Sequence, residues 1–198
     1  MNDKEFSKDR RRLMKAGAAA STALLLPSLS VARKHDYGIA GLKAPELDVS
    51  QWIDGKGKAT SFKLADHKGK FILLKFFQAW CPGCHRHGFP SLKEISDAFK
   101  GNKHFTAVAV QTTFEGYFTN TPKKLRKIQK QYDLDLIFGH DEGNPKLDKN
   151  PKTMVDYRSG GTPWMVVIAP NGKVLFNDFH INAKGAIALL QKEIDTMG

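Results

Sequence analysis

Cysteine is almost absent from this chain, which has only two, at positions 81 and 84, in 198 residues. A disulfide between them would close a very short loop and gain little entropic stabilisation, so a purely structural pair is disfavoured. Long apolar runs are missing as well. The apolar stretch near the N-terminus, residues 16–29, is too short for an ordinary membrane span.

The composition excludes disordered, fibrous and repetitive chains. Apolar residues make up 41% and charged residues 26%, as in soluble globular proteins, and 198 residues suffice for one domain with a sizeable core. The net charge of +11 favours acidic partners or an anionic surface. A nucleic-acid-binding motif and an aromatic–basic strip are both lacking, so no nucleic-acid partner is predicted.

The first 32 residues have the features of a targeting segment. The run DRRRLMK at residues 9–15 is followed by the apolar stretch and then by small residues ending at Ala32, where a signal peptidase would cleave. This pattern resembles a twin-arginine export signal. It predicts removal of residues 1–32, a periplasmic location and no stable membrane span after cleavage. An uncleaved N-terminal anchor is the alternative.

Two regions follow the signal. Residues 33–45 are predicted to be a linker, because their composition is mixed and contains glycine, and residues 46–198 to be the domain. The predicted elements run β β β α β α β (α) β β α, including a hairpin within residues 52–64, a buried strand over 71–77 and a short strand over 134–138. This order predicts an α/β fold in which helices flank a mixed central sheet.

Both cysteines follow the buried strand, in the sequence CPGC. Residues three apart lie close together within one helical turn, so the two sulfurs can bond to each other. Unpaired N–H groups and peptide dipoles at a helix N-terminus lower the pKa of a thiol placed there. Pro82 is tolerated in a first turn. The sequence therefore predicts a dithiol redox site, with Cys81 as an exposed nucleophile and Cys84 as a buried resolving thiol.

The sequence WCPGC at residues 80–84, together with Gly-Thr-Pro-Trp at residues 161–164, resembles the thioredoxin superfamily. Within it, the chain is most similar to exported TlpA-like and redoxin thiol–disulfide oxidoreductases, over residues 45–197. The resemblance implies a thioredoxin-like fold with an N-terminal β extension and an inserted segment, residues 139–161, before the strand that follows a cis-proline.

The same resemblance implies the parts of the site. Pro163 is expected to be cis and to lie against the dithiol, leaving the backbone of Thr162 free to pair with an extended peptide. Trp80, Pro82 and Gly83 are expected to complete the substrate-binding surface.

The implied activity is thiol–disulfide exchange, with reduction of protein disulfides favoured. No cofactor is expected beyond a redox-active Cys81–Cys84 disulfide, and no metal. The expected partners are disulfide-containing exported proteins and an upstream thiol reductant.

Two positions depart from the family pattern. Lys75 occupies the position at which thioredoxins often carry a buried acid. Because lysine is seldom fully buried, its amine is expected to reach water; if buried near Cys84, it would stabilise a thiolate. Pro90 lies one position later than the family usually has it, which indicates an extra residue near Gly88.

Three other functions fit parts of the pattern. CPGCH satisfies the c-type haem attachment motif, although it follows a buried strand. A copper-binding thioredoxin-like chaperone would use both cysteines and a distant histidine, for which His140 and His180 are candidates, but its cysteines are spaced one residue wider. A thiol peroxidase of the redoxin group would carry Thr and Pro shortly before a single reactive cysteine, and this chain does not.

Overall fold

The computed structural model describes residues 37–49 and 51–197. The expected signal, residues 1–32, therefore lies outside the described residues. None of the helices in the described part of the chain combines the length and apolar character that crossing a membrane requires.

In the described residues, one mixed sheet of seven strands forms the centre of the domain. The strands are β1 (Gln51–Ile53), β2 (Ala59–Thr60), β3 (Phe71–Phe77), β4 (Phe105–Thr113), β5 (Ile137–Glu142), β6 (Trp164–Ile168) and β7 (Val174–Asp178). Their spatial order is β2-β1-β5-β4-β3-β6-β7. β4 pairs in parallel with β3 and β5, and the remaining pairs are antiparallel.

Helices cover both faces of this sheet. They are α1 (Phe89–Ala98), α2 (Lys123–Gln131), α3 (Lys152–Asp156) and α4 (Ala183–Asp195). Apolar side chains of α1, α2 and α4 pack with Leu73 and Phe77 of β3 in one cluster. Phe76, on the opposite face of the strand, belongs to a second cluster with Tyr157, which caps α3. The predicted α/β architecture is confirmed.

Two predicted strands are displaced. The hairpin within residues 52–64 is formed by β1 and β2, but its second strand is short and is followed by a 3-10 turn at Leu64–His67. The predicted strand at residues 134–138 begins only at Ile137 and continues to Glu142, so the prediction that the insertion starts at residue 139 is wrong. The reason is that Leu134 still belongs to the end of α2: its N–H donates to the Gln129 carbonyl at 2.9 Å, while Asp133 turns the chain with φ of 49°.

The described part of the expected linker, residues 37–45, packs against the domain. Gly38 N–H donates to the Arg158 carbonyl at 2.8 Å, and Lys43 forms an isolated β-bridge with Lys173. Ile39 is buried in the second apolar cluster. The packed domain therefore begins before residue 46.

The segment after β3 forms one helical rod with an unusual turn. Pro82 and Gly83 are helical, Cys84–Gly88 forms a π-helical turn, and α1 continues from it. The turn is closed by the Phe89 N–H, which donates to the Cys84 carbonyl five residues earlier. A π turn is wider than an α turn, so it accommodates the extra residue predicted near Gly88.

Candidate active site

The two cysteines meet where β3 ends and the helical rod begins. The His85 N–H donates a hydrogen bond to the Cys81 carbonyl oxygen at 3.2 Å, so Cys81 lies at the start of the helical rod. The Cys84 N–H donates to Cys81 Sγ at 3.2 Å. Both side chains are thiols in this structure. The helix N-terminus therefore directs an unpaired amide at the first sulfur, an arrangement that favours a thiolate.

Burial differs between the sulfurs less than the sequence predicts. Cys84 is fully buried, as predicted, but Cys81 is only 6% exposed, so the prediction of an exposed first thiol is wrong. The physical reason is the approach of Thr162, whose carbonyl oxygen accepts from the Cys81 thiol at 3.5 Å. Most of the Cys81 side chain is therefore covered by the domain itself.

The Thr162–Pro163 peptide bond is cis, as the resemblance implies. If residue 83 had a side chain, its Cβ atom would lie only 3.2 Å from Pro163 Cδ. Glycine at position 83 therefore lets the proline approach the first turn of the rod. The structure thus brings Thr162, Pro163 and Gly83 together with Cys81, while Pro82 is exposed at the same tip.

Trp80 is 46% exposed beside the dithiol, so it is not simply a core residue. Its indole N–H donates to Gln78 Oε1 at 3.1 Å, and Asn120 Nδ2 donates to the same oxygen at 2.8 Å. Asn120 Oδ1 also accepts the Ala79 N–H at 2.6 Å. These contacts attach the loop between β4 and α2, residues 114–122, to the end of β3. Sequence reasoning missed Gln78 and Asn120, because polar residues in a loop carry no periodic signal.

The two thiols have opposite proton affinities. The pKa of Cys81 is lowered from 9.0 to about 5, chiefly by a hydrogen bond with the Cys84 thiol, with further contributions from the side chain of Thr162, the Cys84 N–H and the charge on Lys75. Burial raises the pKa of Cys84 well above its ordinary value, and its hydrogen bond to Cys81 adds to this. At neutral pH the pair therefore consists of a thiolate and a thiol.

Lys75 is fully buried, so the expectation that its amine reaches water is wrong. It lies in β3 between β4 and β6, and both faces of β3 are covered, so the side chain has no path to the surface. Its Nζ lies 4.8 Å from the centre of the Phe89 ring. Burial lowers the pKa of Lys75 from 10.5 to about 8, against the opposing charges of Cys84 and Cys81.

The histidines considered as ligands are engaged elsewhere. His140 Nδ1 is 2.9 Å from Gln111 Nε2, and the His180 ring contacts that of His87. In the described part of the chain, no group of three His, Cys, Asp or Glu side chains could hold a metal ion. Neither histidine therefore forms a metal site with the two cysteines. In CPGCH, both ring nitrogens of His85 are hydrogen-bonded, to Tyr132 and to the Ala79 carbonyl.

Solved structures place this arrangement in the thioredoxin-like class. A thioredoxin-like superfamily protein of known crystal structure is 32% identical to this chain, with a TM-score of 0.66 over 79% of this chain and 96% of that one. The thiol-disulfide isomerase from Corynebacterium glutamicum, at 24% identity, has the same fold, with a TM-score of 0.65 over 75% and 95% of the two chains. The predicted thioredoxin-like fold is confirmed.

The family can be stated more narrowly. The Redoxin family model matches residues 39–187, and this chain belongs to the Redoxin family. It is also similar to the thiol-disulfide oxidoreductase ResA of Bacillus cereus, with 27% identity over 135 residues, which are 68% of this chain and 66% of that protein. The chain thus spans just under two thirds of the length of this curated relative.

Proposed function

We propose that this protein is a thiol–disulfide oxidoreductase that reduces disulfides in exported proteins through Cys81 and Cys84. The observation that carries the proposal is the 3.2 Å hydrogen bond from the Cys84 N–H to Cys81 Sγ, opposite the cis Thr162–Pro163 bond. The name of the similar ResA protein, a thiol-disulfide oxidoreductase, supports the same reaction class.

The reaction has two exchange steps. The Cys81 thiolate attacks one sulfur of a substrate disulfide, and the other substrate sulfur leaves as a thiolate. Cys84, once deprotonated, attacks Cys81 Sγ and breaks the mixed disulfide, so that the substrate departs fully reduced. The Cys81–Cys84 disulfide that remains is the redox-active group, and an upstream thiol reductant returns it to the dithiol.

The surroundings of the sulfurs supply the substrate-binding surface in this proposal. The backbone of Thr162, before Pro163, pairs with an extended substrate segment in the manner of an added strand. Trp80 offers an apolar surface beside it, and the attached loop, whose Gly116 lies next to the Trp80 indole, adds Phe118, which is 88% exposed. Glycine at position 83 allows Pro163 to approach the first turn of the rod, and the Thr162 carbonyl then lies next to the Cys81 sulfur.

The location follows from the N-terminal sequence. We infer that residues 1–32 are a twin-arginine signal, on the strength of DRRRLMK and the apolar stretch after it. Export places the dithiol in a compartment where protein disulfides persist, which supplies its substrates.

Trapping tests the proposal. A Cys84→Ser variant, expressed with its own N-terminus, retains the attacking sulfur but cannot resolve, so mixed disulfides are expected to accumulate in the periplasmic fraction. Non-reducing electrophoresis and mass spectrometry identify them as adducts that disappear on reduction.

The control is Cys81→Ser in the same background, which should trap nothing, because the buried Cys84 thiol is protonated. Equal trapping by both variants, or none by Cys84→Ser, would contradict the proposed roles.

A further inference from the structure

Helix α2 is strongly basic on the side that faces solvent. Five of its nine residues are lysine or arginine and none is acidic. The Arg126 guanidinium is held by the domain, because it donates to the Gly55 carbonyl at 2.6 Å and to Gln129 Oε1 at 3.1 Å. The other four share one side of the helix by their spacing and are called here the basic face of α2: Lys123, Lys124, Lys127 and Lys130.

The basic face has no counter-ions within the domain. In the part of the chain that the structure describes, none of its four amines forms an ion pair or a hydrogen bond. Lysines on two other helices differ, since Lys93 of α1 lies 2.8 Å from Asp97 and Lys152 of α3 lies 2.6 Å from Asp156. The charge of the basic face is therefore available to a second molecule.

The basic face is placed against the stability of its own helix. Lys123 and Lys124 lie in the first turn, where the helix dipole disfavours positive charge, and Pro122 supplies no side-chain cap there. Lys127 comes four residues after Lys123 and three residues before Lys130, spacings at which like charges repel. Helix formation does not explain these lysines, whereas a negatively charged ligand would relieve both effects.

A cavity joins the basic face to the dithiol. Its volume is about 310 Å³, and none of its lining residues is acidic; they are Ala79, His85, Lys124, Lys127, Ile128 and Gln131. Ala79 is two residues before Cys81, and His85 directly follows Cys84. The Nε2 atom of His85 lies 2.7 Å from the Ala79 carbonyl oxygen, so one wall of the cavity is the tip of the helical rod.

The loop before α2 holds the basic face beside the proposed substrate-binding surface. Asn120, three residues before Lys123, accepts the Ala79 N–H at 2.6 Å and donates to Gln78, which also accepts the Trp80 indole N–H. A substrate segment that lies on Trp80 therefore has the start of α2 next to it. The cavity is at the lower end of the range for ligand sites, about 300–1,000 Å³, so it suits a single side chain.

We propose that the basic face of α2 binds an acidic segment next to the disulfide of a substrate protein, with one carboxylate in the cavity between Lys124 and Lys127. The occupant follows from charge, because four unpaired ammonium groups and a cavity without acidic residues attract carboxylates. The lysines also offset the repulsion between an acidic segment and the Cys81 thiolate. The protein therefore selects acidic substrates, a specificity that rests on the proposed exchange reaction.

The test compares two synthetic peptides that are each closed by one disulfide and carry either glutamates or glutamines beside it. The reduced full-length chain is mixed anaerobically with each peptide, and its oxidation is followed by mass spectrometry after acid quenching. The quantity measured is the ratio of the two second-order rate constants, acidic over neutral. A general loss of activity in a variant cancels in this ratio.

Salt should control the ratio in the native chain. At about 0.01 M salt, where charges act over about 30 Å, the acidic peptide should react on the order of tenfold faster. At about 1 M salt, where charges act over about 3 Å, the two rates should become equal.

Two double variants locate the effect. Lys124→Gln with Lys127→Gln removes both amines that line the cavity and should lower the ratio at low salt by about fivefold. Glutamine has a helix propensity close to that of lysine, so α2 is retained. Lys100→Gln with Lys103→Gln is the matched control, because it removes two exposed lysines with the same spacing, beyond the end of α1 that lies away from the dithiol. It should keep the native ratio.

The outcomes separate this inference from the reaction on which it rests. Equal native rates at low salt, or a native ratio in the Lys124→Gln and Lys127→Gln variant, would overturn the binding of an acidic segment. An equal fall in both double variants would assign the effect to net charge and would also overturn it. Co-sedimentation with phosphatidylglycerol vesicles that needs Lys124 and Lys127, without a peptide preference, would assign the basic face to a membrane instead. Failure of the native chain to reduce either peptide would overturn the exchange reaction itself.

Discussion

The outer and inner halves of the site are built around two cysteines three residues apart, which lie in different environments. The outer half, Cys81 with Thr162–Pro163, lies at a helix tip where backbone N–H groups stabilise negative charge. The inner half, Cys84 with Lys75, lies in the core, where no water reaches either side chain. The difference shows how one turn of helix separates a sulfur that is ionised in advance from one that must lose a proton during the reaction.

The two halves also depend on different parts of the chain. The outer half requires the loop before β6 to approach the rod, which Gly83 permits. The inner half requires a widened turn, because Gly88 in the π-helical segment is the residue that leaves room for the lysine amine. The two halves remain linked through charge, because the Cys84 thiol and the Lys75 ammonium both lower the pKa of Cys81.

The reactivity of the two thiols should show the greatest contrast between the halves. We expect iodoacetamide to alkylate Cys81 with a rate that falls as the pH drops through about 5, because the thiolate is the reactive form and the pKa of Cys81 is held there. Cys84 should remain unlabelled in the folded protein. Mass spectrometry of the reduced protein after timed labelling measures the alkylation rate of each cysteine. The rate for Cys81 at each pH is compared with its constant value at high pH.

The control for that measurement is the protein labelled in denaturant, where both cysteines should react alike near pH 8.5, the ordinary value for a free thiol. A midpoint for Cys81 in the folded protein close to that of the denatured protein would erase the contrast between the two halves.

The next effect in size is expected in the free energy of unfolding, through the buried amine of Lys75. The folded pKa of Lys75, about 8, lies below its ordinary 10.5, so between these values the unfolded chain binds more protons and stability rises with pH. Below pH 8 the full cost applies, which is roughly 3 kcal/mol at about 1.4 kcal/mol per pKa unit. Lys75→Met should raise the unfolding free energy of the reduced protein by about that amount at pH 7, measured by urea unfolding.

The gain from Lys75→Met should shrink as the pH rises from 8 to 10.5, because the lysine is neutral in both states only well above 10.5. Lys68→Met, at an exposed position, should change stability by less than about 0.5 kcal/mol. A Lys75→Met protein less stable than the native one at pH 7 would mean that the buried ammonium has a stabilising partner.

The smallest expected effect lies on the outer surface. Phe118→Ser should lower the catalytic efficiency toward a protein disulfide by about fivefold, because it removes an aromatic contact worth roughly 1 kcal/mol. The rate with a small aromatic disulfide should not change. Reduction of oxidised insulin, followed by turbidity, measures the former. Leu189→Ser, at another exposed apolar residue, on α4, serves as the control and should alter neither rate. An equal loss with both disulfides would show that Phe118 acts on the dithiol itself.

The secondary structure could be predicted from the sequence where it depends on nearby residues. β3 was predicted with its observed bounds, because a continuous apolar run has one stable place in a sheet covered on both faces. The cis bond before Pro163 followed from family resemblance. The start of β5 was misplaced because Leu134, although apolar, is used to close α2. The exposure of Cys81 was overestimated because the residue that covers it is distant in sequence.

Local sequence patterns are enough to place two sulfurs, three residues apart, at a helix tip that follows a strand, because strand and helix periodicities act over a few residues. The covering of Cys81 by Thr162 and the enclosure of the Lys75 amine beneath Gly88 arise only when the domain packs. Both depend on contacts between segments far apart in the chain, and burial, which sets the charge of these groups, exists only once those segments pack together.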